Sequence, residues 1–445
     1  MTGRPAPDRA LHDIVEAFLC ARGLNGARIA IALSGGLDSV VLTDVLADLA
    51  EPLSLRLSAL HVHHGLSPNA DAWAQTCASL CADRGIGLAV ERVRIDREDR
   101  RGIEAAARAA RYDAFHRLDV DAVALAHHAD DQAETVLLQL LRGAGPPGLA
   151  AMPDSRILDS GVRLIRPLLS LPRSKLAAHA SARGLAWVED ESNDDDRYRR
   201  NALRQHVLPM LEQWFPGYRT TFARAADNAA DAARLAAALA AIDLPSCEAG
   251  DELLVSGLAA LDEVRRVNVV RHWLRARGVD APSRESVHAG VSQLLTAGAN
   301  AQPEFTFGSH RLMRYRDRVR LVSRERGKQG WSLDWDGGAS VVLPDGRTLQ
   351  FRRVEGQGLR ASAMAVGAVR LAGRTGGERM RVGANRPSRT LKNLLQEAGI
   401  PAWERERLVI VHISDRVAWV SGVGTDPDFA AGPGEAGLLP EIELP

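Results

Sequence analysis

The apolar run Ile29-Ala30-Ile31-Ala32-Leu33 passes directly into Ser34-Gly35-Gly36-Leu37-Asp38-Ser39, and no other feature of this 445-residue chain narrows its fold as much. A strand that ends on two glycines and then opens a helix leaves backbone N–H groups free to approach an anion, and the helix adds its positive end. Ser34 and Ser39 can add hydroxyl donors. The expected anion is a pyrophosphate. Asp38 supports this, because a carboxylate beside phosphates is repulsive unless a divalent cation such as Mg²⁺ lies between them. The lysine of G-x-x-x-x-G-K-[ST] is absent and the spacing is not G-x-G-x-x-G, so neither common phosphate loop is present. A Gly-Gly turn that binds nothing stays open on the hexad alone.

From Arg28 to about Trp187, short β-type runs alternate with amphipathic helical patterns, which predicts a parallel sheet covered on both faces. The expected strands are Arg28–Leu33, Leu57–Val62, Leu88–Ile95, Ala122–Ala126 and Leu164–Leu168; helices are expected near Val40–Leu49, Ala70–Arg84, Glu104–Arg117 and Asp131–Leu141. Ligands of such sheets bind at the carboxyl ends of the strands, and Ser34–Ser39, His61–Gly65 and His127–Asp131 all fall there. After Pro216 the pattern turns helical over Phe222–Ile242, Val264–Arg277 and Arg284–Leu295, with Glu304–Phe307 and Val319–Val322 expected as a closing β pair. Gly327–Gly338 reads as a linker and Val341–Phe351 as a hairpin. The expected domains are 1–217, 218–326, a linker with hairpin over 327–367, and an α+β unit over 368–445.

Net charge is zero, so only local segregation of charge can point to a nucleic acid. Seven basic residues lie between Arg370 and Lys392 against Glu378 alone. The four cysteines form no C-x-x-C and no disulfide framework, which fits a reducing cytoplasm. Cys77 and Cys81, one turn apart, read as small buried residues. No leader or membrane span is expected.

Three further groups carry chemistry. In Ala126-His127-His128-Ala129-Asp130-Asp131-Gln132-Ala133-Glu134-Thr135, a helix starting near Asp130 puts Asp131 and Glu134 on one face. Paired carboxylates there suit an ammonium or a metal ion; an acidic helix start capped by Asp130 is the plainer alternative. Arg108 and Arg111 share a face of the next group, where they could neutralise charge on a transferring phosphate or simply be solvated. The third runs from Glu189-Asp190-Glu191-Ser192-Asn193-Asp194 into Arg197, Tyr198, Arg199, Arg200, Asn201 and Arg204, a pattern that suits RNA contacts or a self-paired surface.

The first motif resembles the pyrophosphate loop of the ATP pyrophosphatase superfamily. In this order and spacing, it and four others resemble the tRNA(Ile)-lysidine synthetases over nearly the whole chain. The others are G-I-E-A-A-A-R-x-A-R-Y at Gly102–Tyr112, A-H-H-x-D-D-Q-x-E-T at Ala126–Thr135, R-G-x-G-P-x-G-L at Arg142–Leu149 and D-E-S-N-x-D-x-x-Y-x-R-N at Asp190–Asn201. Gly376-Gly377-Glu378-Arg379 and Leu391-Lys392-Asn393-Leu394-Leu395 resemble the family's tRNA-gripping C-terminal domain. The chain departs at Pro401-Ala402-Trp403, where the family usually has Pro-Pro-Trp.

The resemblance implies an α/β fold, a doubly wound parallel sheet of the PP-loop type, followed by a helical domain and a small α+β domain. It implies a ligase acting on ATP with Mg²⁺, free L-lysine and the tRNA(Ile) with a CAU anticodon. The wobble cytidine is adenylated at its carbon 2 oxygen, and the lysine ε-amine then displaces AMP to give lysidine. Ser34, Gly35, Gly36, Leu37, Asp38, Ser39, His61 and His127 are expected at ATP, with Asp38 on the metal. Asp131 and Glu134 are expected at lysine, with Arg108 and Arg111 as further catalytic residues. Arg199, Arg200, Asn201, Arg204, Arg379, Arg381, Arg389 and Lys392 are expected at tRNA. No membrane partner is expected; a homodimer is entertained, with the oligomeric state open. Two competing readings are a sulfur-transferring tRNA enzyme of the same superfamily and a non-catalytic tRNA-binding protein.

Overall fold

A computed structural model describes residues 8–95, 102–191, 195–298, 301, 303–323, 330–383 and 386–443. Ser192, Asn193 and Asp194 of the acidic loop, and 327–329 of the expected linker, lie outside them. Contacts divide the chain into two compact units, Met1–Leu235 and Ala236–Pro445.

The first unit is built on β1 (Arg28–Ala32), β2 (Arg56–His63), β3 (Gly87–Arg92), β4 (Ala122–Ala124), β5 (Ser155–Ile157) and β6 (Arg163–Ile165). They form one sheet in the order β3-β2-β1-β4-β6-β5. All neighbours are parallel except β5, which runs antiparallel to β6 at the edge. Successive side chains of β1 point to opposite faces, and the core follows that alternation. Ile29 and Ile31 pack with α1 (Arg9–Ala21), α2 (Leu37–Leu49), α3 (Ala70–Asp83) and α7 (Arg173–Arg183), while Ala30 packs with Phe115 of α4 (Ile103–His116). The sheet is therefore covered on both faces. Between α4 and α7 come α5 (Ala129–Leu141) and α6 (Pro146–Leu149), and α8 (Arg199–Ala202), α9 (Leu208–Trp214) and α10 (Tyr218–Cys247) follow.

Helix α2 is buried along most of its length. Its one interior carboxylate, Asp44, is fully buried and accepts from His179 at 3.0 Å and Arg183 at 3.1 Å, both on α7, with Arg84 as a further partner. Satisfying that charge ties α7 to the helix that follows the glycine loop.

Chain order reverses at β1, which pairs with β2 on one side and β4 on the other. The crevice at such a reversal is where open α/β sheets take ligands. Here the loops that enter it are Ser34–Ser39 after β1 and His127–His128 after β4.

In the second unit, three helices, Val255–Ala260, Glu263–Ala276 and Arg284–Thr296, lie with a five-stranded antiparallel sheet around buried Trp273. Glu304–Phe307 and Arg318–Ser323 are strands, but they do not pair with each other as expected. His310–Tyr315 lies between them and pairs with both. Gly308 (φ +51°) and Arg316 (φ +55°) make the two reversals that admit it. The stretch expected as a linker also carries structure. Ser332–Asp334 pairs with Val369–Gly373, and Thr348–Glu355, paired with Ser340–Val342 in the expected hairpin, pairs along its whole length with Ala436–Glu443. These strands are thus parts of the two C-terminal sheets. Among the described residues no helix is long and apolar enough to cross a membrane.

Candidate active site

The glycine loop is held by its own hydroxyls. Ser39 Oγ donates to the Gly36 carbonyl at 2.9 Å and accepts from the Gly35 N–H at 3.1 Å, and the Gly36 N–H reaches Ser34 Oγ at 3.3 Å. Ser39 is buried and its proton is committed to the turn, so of the two serines expected as anion donors only Ser34 is exposed. Gly35 has φ +90°, and a Cβ there would sit 3.1 Å from both Cys77 Sγ and Val188 Cγ2. Conformation and space both require glycine. The first-turn N–H groups of α2, which begins at Leu37 directly after the loop, have no intrahelical acceptor. His61, expected at ATP, is buried beneath the loop. Its Nδ1–H donates to the Leu33 carbonyl at 2.9 Å, so it fixes the end of β1.

Across the crevice, α5 starts at Ala129 and is capped by His128, not by Asp130. His128 Nδ1 accepts from the Asp131 N–H at 3.4 Å, while Asp131 Oδ2 accepts from the His128 N–H at 3.1 Å. Asp130 instead accepts from Arg219 Nε at 2.6 Å and the Arg173 N–H at 2.8 Å; burial alone would raise its pKa, but these partners lower it. The buried His128 ring joins the two sides of the crevice. Its Nε2 lies 3.6 Å from Asp38 Oδ2 and 3.4 Å from Asp131 Oδ2. Burial opposes protonation of His128, but the hydrogen bond with Asp38 and the charges of Asp131, Asp38 and Asp130 outweigh it and raise its pKa. Asp38 Oδ1 lies 3.5 Å from Arg173 Nε and is buried without a hydrogen-bond partner.

Asp131 and Glu134 do share a face of α5, and both meet Arg204. Glu134 has a fully buried carboxylate, taking Arg204 Nε at 2.7 Å on one oxygen and Arg200 Nε at 2.8 Å with Arg204 Nη2 at 3.0 Å on the other. Arg200 and Arg204, expected at tRNA, thus point inward onto Glu134, Arg204 from a π-helical turn over Leu203–Val207. Asn201 Nδ2 donates to the Asp195 carbonyl, and Arg199 is exposed.

The third wall is basic. Arg108 donates to Tyr112 Oη at 3.0 Å, and its guanidinium and that of Arg156 each lie 4.9 Å from the Tyr112 ring. Arg108 and Arg111 are exposed. Arg166, immediately after β6, was not anticipated: it is 2% exposed and donates from Nε to His127 Nδ1 at 3.2 Å. The expected strand ran over Leu164–Leu168 and hid it. The signal was Pro167, which cannot donate to a ladder and ends β6 at Ile165, leaving Arg166 at the strand's carboxyl end.

In the C-terminal part, three of the seven basic residues of Arg370–Lys392 are answered by acids from elsewhere in the chain. Arg381 pairs with Asp428, Arg389 with Glu397 at 2.7 Å, and Arg370 lies 3.7 Å from Asp415. Arg379 and Lys392 are exposed and have no carboxylate partner among the described residues.

Three family models match the chain: the PP-loop domain over residues 8–211, the TilS substrate binding domain over 253–320 and the TilS substrate C-terminal domain over 369–443. The tRNA(Ile)-lysidine synthase of Nitrosomonas europaea is 37% identical over 96% of this chain and 95% of its own length, and that of Alkalilimnicola ehrlichii is 41% identical over 91% of each. The chain belongs to the tRNA(Ile)-lysidine synthase family. A crystal structure of a TilS C-terminal domain aligns over 26% of the chain and 98% of its own length, at 25% identity and a TM-score of 0.23. For a lysidine synthase family member, the crevice offers an anion loop, a carboxylate cluster and an arginine wall around the ends of β1, β4 and β6.

Proposed function

We propose that this protein adenylates the carbon 2 oxygen of the wobble cytidine of a CAU-anticodon tRNA(Ile) with ATP, and then joins L-lysine through its ε-amine to give lysidine, AMP and pyrophosphate. The observation that carries this reading is the placement of Asp38, on the anion loop, and Asp131, on the facing helix, on the same imidazole nitrogen of His128 at 3.6 and 3.4 Å. A phosphate site and an ammonium site are then neighbours, as two consecutive attacks on one base require.

The loop N–H groups and the α2 terminus would hold the leaving pyrophosphate, and Arg108 and Arg111 would face the charge that develops on it. Among the described residues no group of three or more His, Cys, Asp or Glu forms a metal cage. Mg²⁺ is commonly held by one or two carboxylates together with phosphate oxygens, and Asp38 Oδ1, buried without a hydrogen bond, fits such a ligand. Bound there, the ion would neutralise phosphate charge. Asp131, whose side chain is 15% exposed where that of Glu134 is fully buried, would receive the lysine ε-ammonium, which must lose a proton before attack. Glu134, with both oxygens taken, would act on the lysine site by holding Arg200 and Arg204 in place.

The sulfur-transfer alternative finds no support in the cysteines. Cys77 and Cys81 are core residues, and burial pushes the Cys77 thiol up to about 12. A cytoplasmic setting agrees with four free cysteines.

The deciding experiment is incubation of the purified protein with unmodified tRNA(Ile), ATP and labelled lysine, followed by nucleoside analysis. Lysidine is expected only when the wobble base is cytidine; label absent from the nucleosides would overturn the reading. For tRNA grip, the double change of Arg379 and Lys392 to alanine is expected to weaken binding and to reduce the slope of log affinity against log salt by about 2. An unchanged slope in filter binding across salt would remove both residues from the interface.

A further inference from the structure

Arg166 is a buried cation without a carboxylate partner among the described residues. Its Nη1 donates to the Pro153 carbonyl at 2.6 Å, its Nε donates to His127 Nδ1 at 3.2 Å, and the Tyr112 hydroxyl is a further partner. Burial and the charges of Arg156 and Arg108 lower its pKa, with Tyr112 opposing. An unpaired charge in this position destabilises the fold unless an anion or a neighbouring polar group makes use of it.

The neighbour in question is His127, which is half-buried where β4 opens into the crevice. A nitrogen that accepts from a guanidinium carries no proton, so a neutral His127 must bear its proton on Nε2. Protonating Nδ1 would set N–H against N–H and add a charge beside Arg166, Arg200 of α8, and Arg108 and Arg111 of α4. Burial first, and then these four arginines, push the His127 pKa down to about 3. With its one lone pair taken by Arg166, His127 has no free acceptor for a proton from lysine and is left as a donor in an arginine-lined crevice that favours an anion.

We propose that Arg166 is a positioning residue that fixes His127 as a neutral Nε2–H donor, and that this N–H is a catalytic contact to an oxygen of the α-phosphate during adenylyl transfer. The inference rests on the adenylation reading above. A neutral imidazole suits the task, since a preset donor stabilises charge as it develops without having to give up its proton.

The test has two readouts. In ¹⁵N-histidine-labelled protein without substrates, the His127 resonances, assigned by their loss in His127→Asn, are expected to show the proton on Nε2 and no titration between pH 5 and 8. In single-turnover adenylation of tRNA, Arg166→Met is expected to lower the rate about a hundredfold with ATP affinity changed less than about threefold, and Arg166→Lys, which keeps one donor, to recover about tenfold. A His127 proton on Nδ1, titration near the ordinary histidine value, or full adenylation by Arg166→Met would overturn the assignment. Should Arg166→Met not fold, the wild-type spectrum and Arg166→Lys still decide. Wild-type protein that makes no lysidine would refute the proposed function, whereas lysidine formation with the wrong tautomer refutes this assignment alone.

Discussion

Asp38→Ala is expected to cut pyrophosphate release on tRNA by about three orders of magnitude while leaving tRNA affinity within about threefold of wild type. The first half follows from position. Asp38 stands in the first turn of α2, with one carboxylate oxygen buried without a hydrogen bond, 3.5 Å from Arg173, and the other 3.6 Å from His128 Nε2. Removing it deletes the carboxylate that the glycine loop itself would offer to a divalent cation. The second half follows from what remains. His128 keeps Asp131 and Asp130 as partners, the loop keeps its Ser39 bonds, and the exposed basic residues lie elsewhere. Pyrophosphate release and tRNA binding are measured separately; near-normal release would remove Asp38 from the chemistry.

The sequence showed the strand-loop-helix at Ser34 and the β/α alternation around it because both are local. An apolar run, two glycines and a helical repeat need no knowledge of distant residues. Ser155–Ile157 lay beyond that reach: it is a three-residue edge strand with Ile157 69% exposed, and a strand half in water carries no apolar alternation. His310–Tyr315 was passed over for a related reason, since its basic and polar residues mask the buried Leu312 and Met313. Charge was the least legible feature. Arg200 and Arg204 meet Glu134 across 66 and 70 residues, and Arg381 meets Asp428 across 47, so segments that read as basic in one dimension are partly neutral once folded. The shared face of Asp131 and Glu134 is legible from spacing alone, but their partners are not, because only the fold brings Arg200 of α8 and Arg204 of the following turn over that face.

That pairing gives the second large effect. Asp131→Asn is expected to raise the lysine KM and lower kcat/KM for lysine by roughly 2–4 kcal/mol, about thirty- to a thousandfold, while adenylated tRNA still forms from ATP alone. Glu134→Gln should fail differently. Removing its charge leaves Arg200 without a carboxylate and Arg204 with Asp131 alone at 3.4 Å, and the new amide N–H₂, a donor, must face one of the guanidiniums that the second oxygen used to serve, so the arginine pair is displaced. Held then by Asp131 and Thr135 without the buried carboxylate to neutralise them, they leave excess positive charge where an ammonium must enter, and kcat for lysine transfer should fall by at least the factor seen for Asp131→Asn. The pair also supplies its own control. If Glu134 acts through the arginines, Arg204→Ala lowers lysine transfer as well; if Glu134 contacts lysine directly and Arg204 only competes for it, Arg204→Ala lowers the lysine KM. Trapping adenylated tRNA from labelled ATP and chasing with lysine separates the steps. Loss of adenylation itself in Asp131→Asn, with normal lysine dependence in the activity that remains, would move this carboxylate from the lysine site to the nucleotide.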